Sequence, residues 1–438
     1  MQKRKVLILG AAGRDFHNFN TLFRNNENYE VIGFTAAQIP GIEERKYPPS
    51  LSGPLYPEGI PIYPEESLET VIKEKGINDV AFSYSDVTHG HVMHLASRSL
   101  AAGASYLLLG PNDTCIRSTR PVFAICATRT GAGKSPLSKL ISKTLVEEGV
   151  KLAVIRHPMP YGDLEKQAVQ RFSSLEDLDR HNCTIEEREE YEGHIKNGAL
   201  LFAGVDYEAI LREAEKEADL IMWDGGNNDY PFYFPDLLVV VSDALRPEHG
   251  YHYFPGEVNL RMADIVLISK ASQSPKGAEK AEALAHTLNP KAHMLRADIE
   301  VSAPEGIEGK EVVVVEDGPT LTHGGMDYGA GLLAAEKAGA KPVSPVPYAV
   351  GSIKEVFANY PHTKKVLPAM GYGKKQVEEL QETINSMPQD IVVSGTPMDI
   401  SKAIATEKKI IQVEYSYRES EIGPILERIR KLLQSSIF

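Results

Sequence analysis

Short apolar runs closed by turn residues alternate with helical stretches from the start of the chain. Lys5–Leu9 is such a run and ends in Gly10-Ala11-Ala12-Gly13; others follow at Tyr29–Thr35, Asp79–Tyr84 and Ser105–Leu109. Runs that are apolar throughout, rather than alternating, predict strands buried on both faces. Helical periodicity fills Ser67–Lys75 and His89–Ala102 between them. Strand and helix in turn predict a parallel, doubly wound sheet. Residues 41–64 are proline-rich and aperiodic and predict a long loop, while Pro111–Arg120 reads as a linker. From Pro121 a second series begins, with strands predicted at Val122–Cys126, Leu152–Ile155, Leu220–Trp223, Leu237–Val241, Ile265–Ile268, Ala292–Leu295 and Lys310–Val315. The charged stretch 161–218 predicts a helical insert, either a solvated surface or a lid. After Pro342–Pro345 a third section offers strands at Lys365–Leu367, Asp390–Ser394 and Ile410–Val413, and helices at Lys374–Asn385, Asp399–Thr406 and Gly423–Leu433.

The strand Val122–Cys126 runs into Ala127-Thr128-Arg129-Thr130-Gly131-Ala132-Gly133-Lys134-Ser135. A strand, a glycine loop and Lys-Ser opening a helix form a phosphate-binding P-loop. Gly131 and Gly133 let the amides of Thr130–Ser135 turn toward a polyphosphate, Lys134 brings charge to its outer oxygens, and the Ser135 hydroxyl suits Mg²⁺. Thr128 stands where the standard motif has its first glycine. The expected fold is therefore α/β: an N-terminal Rossmann-like domain (1–118), a P-loop NTPase domain (119–342) carrying the insert, and a C-terminal α/β extension (343–438).

Composition narrows the function classes. Of 438 residues, 42% are hydrophobic and 24% charged, as in ordinary globular chains. A net charge of −13 argues against general nucleic-acid binding. Cys115, Cys126 and Cys183 are scattered without metal-binding spacing, which fits a reducing cytoplasm. No apolar run is long enough for a membrane span, and Met1–Gly10 reads as a first strand rather than a leader. A homo-oligomer, a dimer first, is the expected state.

Several strand ends carry chemistry. Leu220–Trp223 ends in Asp224, placed for the magnesium shell of a nucleotide enzyme; Asn227, Asn228 and Asp229 follow in the same loop. Ser269-Lys270 occupies the place of a guanine-reading Asn-Lys-x-Asp but lacks its Asp, which favours ATP over GTP; the Lys270 stem could pack along the base. Arg156 and His157 close another strand and would grip an anionic substrate. Asp317, Thr322 and His323 lie in the polar turn Glu316–Met326, and Arg296 ends the strand Ala292–Leu295. Arg129, inside the P-loop, would touch the transferred group. Gly10–Asp15 shows GxxG rather than GxGxxG, leaving three readings: a vestigial nucleotide loop, an anion site using Arg14 and His17, or a docking domain. His91 and His94 share a helix face and read as structural before metal-binding.

Together, ATRTGAGKS, IMWDGGNND, VEDGPTLTHGGM, VLPAMGYGKKQVEELQETIN and DIVVSGTPMDI resemble the cyclic 2,3-diphosphoglycerate synthetase family, over nearly the whole chain. The resemblance implies ATP-driven closure of a bisphosphorylated acid into a cyclic pyrophosphate, with release of ADP and phosphate. Lys134, Asp224 and Arg129 would be catalytic, Ser135 and Asp224 would hold Mg²⁺, and Arg156, His157, Asp317, Thr322, His323 and Arg296 would bind the small phosphorylated substrate. GTP in place of ATP is the variant reading. A regulatory or metallochaperone-type P-loop GTPase or ATPase is the alternative function.

Overall fold

The computed structural model describes residues 2–11, 13–36, 45–158, 162–226, 229–322, 324–369 and 374–435. Three α/β units follow one another. The first sheet runs in the order Lys46–Tyr47, Ile60–Pro64, Tyr29–Ala36, Arg4–Leu9, Asp79–Phe82, Ser105–Leu108. All its neighbours are parallel except the edge pair Lys46–Tyr47 with Ile60–Pro64. Its central strands form because they are apolar on both faces: Val6, Leu7, Ile8 and Leu9 are fully buried.

The central sheet has eight strands and carries the P-loop strand Val122–Ala127 in its interior, between Leu220–Trp223 and Leu237–Asp243. The carboxyl ends of these three strands therefore open side by side, where open parallel sheets bind ligands. Burial of Phe123, Ile125, Leu152, Val154, Val239 and Leu267 packs one face against the helix Lys134–Glu147.

Three expectations are corrected. The stretch 161–218 is no mere helical insert: Gln170–Phe172 and Leu200–Ala203 extend the central sheet at one edge. Leu200–Ala203 is an apolar run flanked by Gly198 and Gly204, the signal that identifies it in retrospect. The strand Glu311–Asp317 belongs to the third sheet, which it pairs through Lys341–Pro342, Leu367–Ala369 and Ile391–Ser394. The third unit thus begins about thirty residues before the expected boundary at 343. Finally, the last helix, Glu419–Ser435, returns to the central unit, where Ile422, Ile425, Leu426 and Ile429 join the P-loop core. An amphipathic helix goes where an apolar surface remains uncovered, and spacing along the chain does not reveal where that is.

Two small ribbons tie the units together. Val87–Thr88 of the first pairs with Tyr253–Phe254 of the central unit, and Ile299–Val301 pairs with Tyr415–Tyr417. Among the described residues, no helix is long and apolar enough to cross a membrane.

Candidate functional site

The P-loop closes as its sequence requires. Gly131 (φ +78°) and Gly133 (φ +106°) sit in the left-handed region that glycine adopts without strain. A side chain at Gly133 would collide with the Tyr417 hydroxyl, which instead donates to the Gly133 carbonyl at 3.1 Å. Lys270 Nζ donates to the Gly131 carbonyl (2.8 Å) and to Asp243 (2.9 Å), and Ser269 Oγ donates to the Ala132 carbonyl. Arg246 holds Thr130 through its carbonyl (2.9 Å) and is itself paired with Asp243. Lys270 is thus a strut of the loop. Burial draws its ammonium below its usual range, against the pull of Asp243.

Asp224 stands at the end of its strand, buried, with both carboxylate oxygens bonded. Lys134 Nζ lies 2.5 Å from Oδ1; Ser138 (2.8 Å), Arg156 (2.9 Å) and His194 (3.2 Å) reach Oδ2. Burial alone would raise its pKa, but Arg156 and Lys134 outweigh that and hold it well below the usual range. Lys134 is therefore folded back onto Asp224 and must leave it to meet a phosphate. A serine hydroxyl and a carboxylate make a hard oxygen donor set that suits Mg²⁺, and Ser135 faces the cavity beside the loop.

That cavity, about 380 Å³, is walled by all three units. Arg129, Thr130, Gly131, Gly133, Lys134 and Ser135 line one side, while Ala132 is buried behind them. The first unit reaches it through Asp86, whose carboxylate accepts from Thr130 Oγ1 (2.7 Å) and pairs with Arg129 Nε (2.8 Å). Arg129 also lies over the Tyr253 ring, 3.9 Å from its centroid. The cavity is also lined by an acidic wall: Glu186, Glu189 and Glu190 from the helix Ile185–Lys196, and Glu316 and Asp317 from the third sheet. Eight Asp or Glu side chains line the cavity against five Lys or Arg.

The remaining expected residues are dispersed. His157 lines the cavity and shares a hydrogen bond between Nδ1 and the Tyr207 hydroxyl (2.6 Å); burial, with Arg156 and Arg14 nearby, keeps it neutral. Asp317 lines it and caps Thr320. Arg156 ends a strand in the sheet interior, is 1% exposed, and bonds Asp224 and the cavity-lining Glu190 without itself lining the cavity. Arg296 is corrected, since its strand forms the sheet edge and it pairs with Glu282 at the surface. Thr322 turns inward and donates to Gly318 O (3.0 Å). His323, Asn227 and Asn228 lie outside the described residues. His17 is no anion contact: it donates from Nε2 to Thr114 O (2.6 Å), stacks on Phe232 at 4.0 Å, and is held neutral by burial. His91 bonds the Tyr84 hydroxyl at 2.6 Å.

Sequence reasoning passed over Asp243, Lys139 and Glu189. Asp243 carried a signal, an apolar run Leu237–Val241 ending in Ser-Asp beside the P-loop strand. Glu189 carried none, being one acid among many in a charged helix.

The chain is 57% identical over 422 residues to the arginine synthetase ArcE of Thermococcus kodakarensis, covering 95% of this chain and 94% of that protein. No protein-family model matches. Among solved structures, LpxK from Aquifex aeolicus, crystallised with ATP, aligns over 73% of this chain and 90% of its own at 9% identity and a TM-score of 0.46. The hydrogenase maturation factor HypB of Archaeoglobus fulgidus aligns over 41% and 82%, at 18% identity and a TM-score of 0.29. Neither structural likeness is close enough to bear on the site.

Proposed function

The chain belongs to the family of the arginine synthetase ArcE, and from that premise we propose that it is an ATP-dependent synthetase whose product is arginine. The observation that carries this reading is the acidic wall that shares a cavity with the P-loop. A cavity lined by both a phosphate loop and five carboxyl groups suits a nucleotide beside a substrate that bears positive charge.

The chemistry follows from the product. A guanidinium group differs from a ureido group by one nitrogen in place of the carbonyl oxygen. That oxygen leaves poorly until it is phosphorylated. The ureido oxygen of a δ-ureido amino acid attacks the γ-phosphorus of ATP, and ADP departs. Ammonia then attacks the activated carbon, and phosphate leaves carrying the old oxygen. Catalysis of both steps consists of positioning and charge compensation. Lys134, released from Asp224, meets the phosphoryl oxygens, while the Thr130–Ser135 amides hold the polyphosphate. Ser135 and Asp224 would hold Mg²⁺, which supplies further neutralisation of the phosphates. Arg129 sits where it would face the transferred group, and Asp317 and His157 border the acceptor.

Closure of a bisphosphorylated acid into a cyclic pyrophosphate, implied by the sequence motifs, uses the same loop. It would set a strongly anionic substrate against the acidic wall, and the charge balance therefore favours the ureido acceptor. The test is to supply the enzyme with Mg·ATP, ammonium and a δ-ureido amino acid, and separately with 2,3-bisphosphoglycerate. ADP and arginine are expected in the first mixture and no cyclic pyrophosphate by phosphorus NMR in the second. The reverse result would overturn the assignment, and GTP hydrolysis indifferent to either acid would point to the regulatory NTPase.

A further inference from the structure

The acidic wall contains more negative charge than two surfaces should bury together. The Glu189 side chain, from the helix Ile185–Lys196, is 3% exposed, and its carboxyl lies beside that of Asp317 from the third sheet. Its Oε1 has no hydrogen-bond partner among the described residues, and it lines the cavity. Glu316, 1% exposed, stands beside it, its oxygens taken by the amides of Gly329 (3.1 Å), Gly331 (3.1 Å) and Leu332 (2.7 Å). Glu186 and the Tyr415 hydroxyl complete the surroundings. The nearby cation, Lys139, donates to the backbone carbonyl of Glu189 at 3.0 Å. A buried acceptor without a donor, inside a cluster of acids, is a place for a ligand that brings N–H groups and positive charge.

We propose that this pocket binds the nitrogen donor as a cation, with Glu189 as the group that accepts its proton. Glu189 and Asp317 come from different units, so the site exists only where the third unit closes on the P-loop unit. Without a cation, burial and the adjacent Asp317 push the Glu189 carboxyl well above its usual range, and a proton bridges the pair. Ammonium displaces that proton, bringing one N–H for each unpaired acceptor. The ionised Glu189 then removes a proton from ammonium, freeing the lone pair. The nitrogen attacks the activated ureido carbon, and the carbon–oxygen bond breaks with its electrons going to phosphate. Glu189 returns its proton to the new guanidine, which leaves as guanidinium. This assignment rests on the arginine-forming reading.

The test uses the full chain with Glu189→Gln, which keeps shape and one donor. With ATP and the ureido acid saturating, kcat/KM for ammonium should fall by about 10²-fold, the loss typical of a missing general base, while Mg·ATP affinity stays within about twofold. Hydroxylamine is already a free base at neutral pH, so the variant should keep most of its wild-type rate with hydroxylamine. A merely structural role would depress both nucleophiles alike. Wild-type ammonium kinetics in the variant, or equal loss with hydroxylamine, overturns the proposal. Asp317→Asn serves if Glu189→Gln does not fold. Calorimetric titration of methylguanidinium into wild type and variant reads the site without turnover, and equal affinities overturn it even if wild type makes no arginine. That last failure would instead sink the parent reading.

Discussion

Two glycine turns in this chain begin alike and end differently. Arg4–Leu9 enters Gly10–Gly13 and then the helix Arg14–Asn18; Val122–Ala127 enters Thr128–Gly133 and then the helix Lys134–Glu147. In the first, Asp15 turns back into the loop and accepts from the amides of Gly13 (3.1 Å) and Phe16 (2.7 Å). Its carboxylate lies 2.6 Å from where a side chain at Gly10 would begin, so the turn is filled from within. The second contains no acid among Ala127–Ser135, and its charges are the cations of Arg129 and Lys134. A strand, a glycine turn and a helix provide a cradle of amides in both places. What occupies the cradle depends on the sign of the charge that the loop itself carries. Both turns line the cavity, the first through Gly13 and Asp15 and the second through Arg129–Gly131 and Gly133–Ser135.

That contrast can be broken in several ways. Lys134→Ala should lower turnover by about 10²- to 10³-fold or more with circular dichroism unchanged, since it removes the ammonium expected to meet the phosphates. Unaltered turnover would erase the distinction between the turns. Next in size is an acid response on the first turn's own helix. Burial and Arg14 lower the His17 pKa from 6.5 to about 3. The unfolded chain takes up a proton below pH 6.5 that the folded chain refuses. Stability from this group is thus complete above pH 6.5 and lost as pH falls toward 3, by about 1.4 kcal/mol per pH unit. His17→Gln should flatten the stability–pH curve over that window, and an unchanged slope in denaturant titrations would count against it. Asp15→Ala leaves two buried amides unpaired and should cost about 1–3 kcal/mol in chemical denaturation, with Mg·ATP affinity unchanged. A large loss of ATP affinity would mean that the first turn also serves the nucleotide. The smallest effect is expected for Arg296→Ala, whose surface pair with Glu282 is worth about 0–1 kcal/mol and whose loss should leave turnover alone.

Much of this was legible without coordinates. Strands such as Leu220–Trp223 and Val122–Ala127 stand out because burial on both faces demands apolar residues throughout, and the P-loop shows because its chemistry needs adjacent residues. The burial of Arg156 was not legible, because a strand-end arginine beside a cavity and one buried beneath it have the same sequence. Three-dimensional neighbours decide, here Asp224 and Glu190.

The chain order of apolar runs, turns and cations therefore determined the α/β layering and the phosphate loop, since both are local, built from residues within one strand–turn–helix. Only the tertiary structure decided which sheet Glu311–Asp317 would join, and so set Glu189 against Asp317. Nothing within either segment encodes that meeting. It follows from which apolar faces remain uncovered once every unit has folded, and that is a property of the whole chain.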